Sequence, residues 1–251
     1  MTEKLPIFAL HGWGLNAAVL EPLDGAFDGH RVQAVDLPGH GRRREESFGR
    51  DLDALVEGLL AQAPPRAVWL GWSLGGMLAL TAASVAPDRV AALVTVAASP
   101  SFVKRPDWPE GMPVERLRRM AADLASDAEQ TVNDFLTLQV LSSRDGRTAL
   151  RQLKAALDAR GMASSQALDD GLHLLETLDL QPHLAGLKVS LLATGGGRDR
   201  LVQPAAIRAM AKRAAVAEAH IFDDAAHAPF LSDRAGFIAC MTDFLQRRGL
   251  A

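Results

Sequence analysis

The apolar run Ala67-Val68-Trp69-Leu70 leads without a spacer into Gly71-Trp72-Ser73-Leu74-Gly75-Gly76. A buried strand that meets this hexapeptide must turn sharply into a helix, because Ala79, Leu80, Ala82 and Ala83 continue it as a small-residue helix able to pack closely on a sheet. So tight a turn forces strained dihedrals on its central residue, and small residues two positions before and after it prevent collision. Gly71 and Gly75 meet that demand. Ser73 is therefore read as a catalytic nucleophile presented at a strand-to-helix elbow. A glycine-rich turn with an incidental serine is the alternative, and the rest of the chain must decide.

Around the elbow, strand-like apolar runs occur at Ile7 to Leu10, Val32 to Val35, Ala92 to Val96 and Val189 to Ala193. Continuous rather than alternating hydrophobicity marks strands buried on both faces of a parallel sheet. Leu52, Leu55, Val56, Leu59 and Leu60 have helical spacing between the second and third runs, so the alternation predicts a doubly wound α/β fold. Ile221-Phe222 offers one more short strand. From about Ser101 to Leu187 no convincing strand appears, and Val114, Leu117, Met120 and Leu124 share one helical face. The chain is thus expected to build its core from residues 1–100 and 188–251, a mostly parallel sheet flanked by helices, with 101–187 inserted as a helical cap. Pro100, Pro106, Pro109 and Pro113 mark entry into the insertion, and Pro182 and Gly186 its return.

A serine hydroxyl near neutral pH needs a base to take its proton and a third group to orient that base. Asp199 follows the last strong strand through Thr194-Gly195-Gly196-Gly197-Arg198, and His227 lies in the polar loop Asp223-Asp224-Ala225-Ala226-His227-Ala228-Pro229-Phe230. Both loops belong at the carboxyl ends of parallel strands, where active residues gather. His11, His30, His40, His173, His183 and His220 compete with His227, but none follows the last strand in this way; Asp223 and Asp224 remain alternatives to Asp199. The oxyanion that forms on attack needs donors, which the backbone amides of Leu74, after the nucleophile, and Trp13, after the first strand, are placed to supply. No lysine and hydroxyl follow Gly195-Gly196-Gly197 in phosphate-loop spacing, no dinucleotide glycine pattern follows the first strand, and no histidine has a partner at ligand spacing. Neither metal nor cofactor is expected.

The formal charge of -3 over 251 residues argues against a general nucleic-acid binder, which needs clustered cations. The single cysteine, Cys240, lies among Phe237, Ile238, Met241 and Phe244 and reads as a buried structural thiol. The start of the chain has no charged segment followed by an apolar stretch of signal length, and no run reaches membrane-spanning length. A cytoplasmic monomer is the expectation.

His11-Gly12-Trp13-Gly14, Asp36-Leu37-Pro38-Gly39-His40-Gly41, the elbow, Asp199 and His227, in the chain order Ser, Asp, His, together resemble the α/β-hydrolase family across nearly the whole chain. Within it, His11 to Asn16, Gly71 to Gly76, Phe135-Leu136-Thr137-Leu138-Gln139 and Ala225 to Phe230 resemble the esterases that act on pimeloyl-acyl carrier protein methyl ester in biotin synthesis. That resemblance implies cleavage of the distal methyl ester to methanol with the carrier thioester intact. It places Trp13, Ser73, Leu74, Phe135, Leu136, Thr137, Leu138, Gln139 and His227 along the substrate. Gly195-Gly196-Gly197 is richer in glycine than the usual acid loop of the family.

An acyl carrier protein is expected to be acidic and to dock on cations. Arg147, Arg151 and Lys154 align on one helical face while Leu150, Leu153 and Leu157 occupy another, with Arg144 just upstream. These four either dock the carrier or form an ordinary solvated face. The alternatives for function are a broad short-chain carboxylesterase or another serine hydrolase of the fold and, from another class, a protein that binds a small ligand without turnover.

Overall fold

The strands of the computed structural model, which describes residues 4–250, are β1 (Ile7–Leu10), β2 (Val32–Val35), β3 (Ala67–Trp72), β4 (Val90–Val96), β5 (Leu191–Gly196) and β6 (Ala217–Phe222). They hydrogen-bond in the order β2-β1-β3-β4-β5-β6, with every neighbouring pair parallel. The helices are α1 (Leu52–Gln62), α2 (Leu74–Val85), α3 (Val114–Ser126), α4 (Ala128–Val140), α5 (Gly146–Arg160), α6 (Ser165–Thr177), α7 (Gln181–Ala185), α8 (Pro204–Arg213), α9 (Pro229–Ser232) and α10 (Arg234–Arg247). This is the expected α/β-hydrolase architecture. Helices α1, α2, α7 and α8 lie side by side in one layer. On β5 and β6, Gly195 faces Ile207 of α8 and pairs with Ile221, so the next residue, Phe222, points to the other face and meets Phe237 of α10. The sheet is therefore covered on both sides, which is why its central strands could be read from continuous hydrophobicity.

Four strands differ from the sequence reading at their ends: β3 runs on to Trp72, β4 starts at Val90, and β5 and β6 shift most. β5 begins at Leu191 and runs through Gly195 and Gly196, which had been read as loop, because both glycines pair with Ile221 and Phe222. β6 extends back to Ala217 through Glu218 and the exposed Ala219 and His220. As the last strand in the order it is an edge, half solvated, and has no continuous apolar run to announce it. Cys240 of α10, expected to be a buried thiol, is only partly buried.

Local signals set the helix starts. Asp51 Oδ1 accepts the amides of Asp53 and Ala54 at the start of α1, Asp127 Oδ1 accepts that of Gln130 in α4, and Ser164 Oγ that of Ala167 in α6. Helices α3 to α7 fall between β4 and β5; α3 packs on α4 and α6, and α4 on α5. The final residue of α5, Arg160, ties this insertion to the sheet by donating to Asp36 Oδ2 at 2.7 Å, just past β2. Both side chains are buried, at 8% and 3% exposure. Burial pushes the Asp36 carboxyl upward, but the amides of Ala17 and Arg42 and the guanidinium of Arg160 outweigh it and hold the group below the usual carboxylate range. Truncating one partner of such a pair strands the other charge, so Arg160→Ala is expected to lower stability by about 3–5 kcal/mol in urea unfolding.

Candidate active site

Ser73 joins β3 to α2 with φ 54 and ψ −117, a left-handed conformation that few side-chain-bearing residues adopt. The neighbouring glycines make the turn possible by close approach. A Cβ on Gly71 would lie 2.3 Å from Gly75 O, and one on Gly75 would lie 2.5 Å from both Leu10 O and His11 O. The Ser73 amide donates to Val96 O of β4 at 2.9 Å, and its carbonyl accepts the Gly76 amide at the same distance. Its hydroxyl does not cap α2.

Asp199 and His227 come from the loops after β5 and β6, and His227 Nδ1 lies 2.8 Å from Asp199 Oδ2. The other carboxylate oxygen accepts the amides of Leu201 at 2.8 Å and Val202 at 3.1 Å. Those bonds fix the carboxylate plane and leave Oδ2 for the ring. With Nδ1 donating to a carboxylate, the ring is the tautomer whose Nε2 accepts, and that Nε2 is buried without a hydrogen-bond partner among the described residues. The His227 backbone is held from two sides. Its amide donates to Gln139 O of α4 at 2.9 Å, and its carbonyl accepts Trp72 Nε1, from the residue before Ser73, at 2.8 Å.

The glycine richness of the acid loop has a steric cause. A Cβ on Gly196 would sit 2.0 Å from Ala226 O, and one on Gly197 would sit 2.6 Å from Asp223 O. The acid-bearing and histidine-bearing loops run backbone against backbone, with Arg198 N donating to Ala225 O at 2.9 Å. The alternative acid Asp224 instead pairs with Arg144 and Arg198.

Trp13 lies in the loop after β1, where Gly12 approaches the elbow so closely that a Cβ on it would be 3.2 Å from Ser73 Cβ. The Trp13 amide makes no backbone hydrogen bond among the described residues, and Leu74, at the first position of α2, has no carbonyl one turn earlier to bond. Both amides are free to meet an anion. Trp13 Nε1 donates to Leu168 O of α6 at 2.8 Å, its ring meets Phe135 edge-on at 5.0 Å, and a Cβ on Gly171 of α6 would lie 2.6 Å from that ring. A glycine inside a helix is normally costly, and Gly171, which sequence reasoning passed over, marks this approach. His11 braces the same loop: Nδ1 lies 2.9 Å from Gly12 O and Nε2 accepts the Leu37 amide at 3.0 Å. Burial, with nearby His40, lowers its pKa to about 3, so it is a neutral brace.

The segment from Phe135 to Gln139 divides by helix geometry. Phe135 and Leu138 line a cavity of about 560 Å³ with Phe102, Met112, Met120 and Leu201. Leu136 is fully buried in the apolar core, Thr137 Oγ1 donates back to Asn133 O at 3.0 Å, and Gln139 Nε2 is buried without a partner. Arg144, Arg147, Arg151 and Lys154 are all exposed; Arg144 is paired with Asp224, and Arg151 donates to Thr148 Oγ1 at 3.0 Å. Among the described residues no group of three or more His, Cys, Asp or Glu could hold a metal. Sequence reasoning left out Trp72, the residue before the serine in the elbow motif, whose indole holds the histidine loop. Because Ala226 O leaves no room at Gly196, Gly196→Ala is expected to slow labelling of Ser73 by a serine-directed fluorophosphonate about 100-fold, read by intact-protein mass spectrometry.

A model of the alpha/beta hydrolase family matches residues 7–239. The chain is 43% identical over 230 residues to the pimeloyl-[acyl-carrier protein] methyl ester esterase of Klebsiella pneumoniae (strain 342), covering 91% of this chain and 88% of that protein. It is 44% identical over 223 residues to the protein of the same name from Xanthomonas campestris pv. campestris (strain B100), covering 88% and 87%. Among solved structures, an esterase from Exiguobacterium antarcticum superposes with a TM-score of 0.86 at 22% identity over 98% of this chain and 93% of that one, a likeness of fold. Elbow, strand order and these similarities agree: the chain belongs to the α/β-hydrolase family, and within it to the branch of carboxylic ester hydrolases called pimeloyl-acyl carrier protein methyl ester esterases.

Proposed function

We propose that this protein hydrolyses the methyl ester of pimeloyl-acyl carrier protein methyl ester, releasing methanol and leaving the carrier thioester intact, with Ser73, His227 and Asp199 as its catalytic residues. The observation that carries the mechanism is the buried His227, bonded to Asp199 through Nδ1 and left with an unpartnered Nε2. The substrate is carried over from relatives above 40% identity that span most of both chains.

In this reading His227 Nε2 takes the Ser73 proton as Oγ attacks the ester carbonyl carbon, and Asp199 stabilises the imidazolium. The amides of Trp13 and Leu74 receive the oxyanion. His227 returns the proton to the departing methoxide, which leaves as methanol. Water, deprotonated by His227, then attacks the acyl-enzyme and frees the carboxylate and Ser73. Gln139 Nε2 is a donor for the substrate beside the base. The cavity past Phe135 and Leu138, whose lining joins apolar side chains to polar and charged ones such as Arg116, Arg119, Asp123 and Asp134, receives the chain and the carrier's arm, with the insertion acting as a cap; 560 Å³ falls within the range of sites for small ligands.

The partner is an acyl carrier protein bearing the ester. Its docking surface is the exposed face of α5, with Arg147, Arg151 and Lys154, and with Arg144 at its edge. No helix among the described residues is long and apolar enough to cross a membrane; in this reading the enzyme works in the cytoplasm as a monomer. Ser73→Ala is expected to abolish methanol release and the acyl-enzyme seen by mass spectrometry; retained turnover refutes the mechanism, while Ser73-dependent turnover of small methyl esters but not of the carrier-linked ester favours a broad esterase. Arg147→Glu with Arg151→Glu is expected to raise KM for the carrier-linked ester about tenfold at low salt, less at high salt, and to leave a free methyl ester unchanged.

A further inference from the structure

The turn that follows α4 touches both loops that carry the proposed acid and base. Ser143 is buried, and its amide donates to Val140 O at 2.9 Å, which makes it an extension of the helix. Its Oγ accepts the amide of the buried Ala226 at 2.9 Å, one residue before His227. Ser142 Oγ donates to Arg198 O at 2.8 Å, next to Asp199. The Arg144 amide donates to Asp224 O at 3.0 Å, and the Asp224 carboxylate pairs with both Arg144 and Arg198. Gln139 O completes the set through the His227 amide.

The Asp199 bond fixes the His227 ring only as well as the loop beneath it is fixed. From the sheet that loop is held by Trp72 Nε1 on the His227 carbonyl; on the N-terminal side of His227 its amides are held by Gln139 and Ser143. Helix α4 also lines the cavity through Phe135 and Leu138. We propose that Ser143 is a positioning residue that fastens the loop of His227 to the helix lining the substrate cavity, keeping Nε2 at the height from which it can take the Ser73 proton. The inference rests on the Ser73, His227 and Asp199 reading above. Ser143 touches loop backbone and no substrate, so its loss falls on kcat rather than KM. Without the hydroxyl, the buried Ala226 amide has no acceptor and the loop relaxes around it.

The test compares Ser143→Ala and Ser143→Thr in the full chain, with kcat and KM on a free methyl ester, fluorophosphonate labelling rate and thermal midpoint read together. Ser143→Ala is expected to lower kcat and labelling by about 10-fold to 100-fold with KM changed less than about twofold, and Ser143→Thr, which keeps the acceptor, to recover most of the loss. Wild-type kcat in Ser143→Ala, whether or not its midpoint falls, or a rise in KM alone, overturns the proposal. If Ser143→Ala does not fold, Asp224→Asn reads the outer half of the same clamp: a lowered kcat at constant KM supports the proposal and an unchanged kcat overturns it. Ser73→Ala runs beside them. Turnover that survives in it defeats the Ser73 mechanism itself, whereas an inactive Ser73→Ala next to a fully active Ser143→Ala defeats the clamp alone.

Discussion

The strained backbone at Ser73 is the constraint on which the rest of the site depends. A side chain at φ 54 costs about 1–3 kcal/mol, and it persists only where surrounding contacts over-determine it. Here the bond from the Ser73 amide to Val96 O fixes the turn to β4, and Ala97, the residue that follows β4, also has positive φ, at 48, with its amide donating to Thr194 O of β5 at 2.7 Å. The carboxyl ends of β3, β4 and β5 are thus locked as a unit. Helix α2 leaves that unit buried from Leu74 to Ala83, so its small residues serve close packing where a larger set would not fit between sheet and neighbouring helices.

From that locked edge outward, control passes from the sheet to the insertion. Trp72 holds the His227 carbonyl from β3, while α4 holds the His227 amide. Trp13 follows the same division, for its loop is braced by His11 from the β1 and β2 side and its indole is anchored on Leu168 and pressed against Gly171 from α6. The buried pair between Asp36 and Arg160 keeps the insertion in register with the sheet while both sets of contacts form. A site assembled this way has its geometry set by two bodies and loses it when either moves.

Sequence reasoning reached what short-range physics writes locally. Continuous apolar runs gave β1 and β2 at their observed ends, and the elbow glycines needed only a count of atoms in a tight turn. Asp199 and His227 were legible as polar residues after strands, and the structure brings their side chains within hydrogen-bond distance. It failed where partners far away in sequence decide. Gly195 and Gly196 carry turn chemistry but become strand because β6 pairs with them. The polar, solvated β6 lacked the pattern that marks a buried strand. The roles of Trp72 and Ser143 depend on hydrogen bonds across 155 and 83 positions, which no local pattern encodes.

The glycines of the acid loop join these levels. As a local motif, three in a row look like flexibility, and in a phosphate-binding loop they would serve an anion. In this fold Gly196 and Gly197 are spent on proximity, since Ala225 O, Ala226 O and Asp223 O occupy the space their side chains would need. That contact sets how far Asp199 can lie from His227, and the bonds of Oδ1 to Leu201 and Val202 then direct Oδ2 at the ring. A wider loop with side chains would push the two loops apart, and the turn after α4, bonded to both through Ser142, Ser143 and Arg144, would have to follow one and release the other. The run of glycines is therefore a packing solution, matched to a helix end that grips both loops at once.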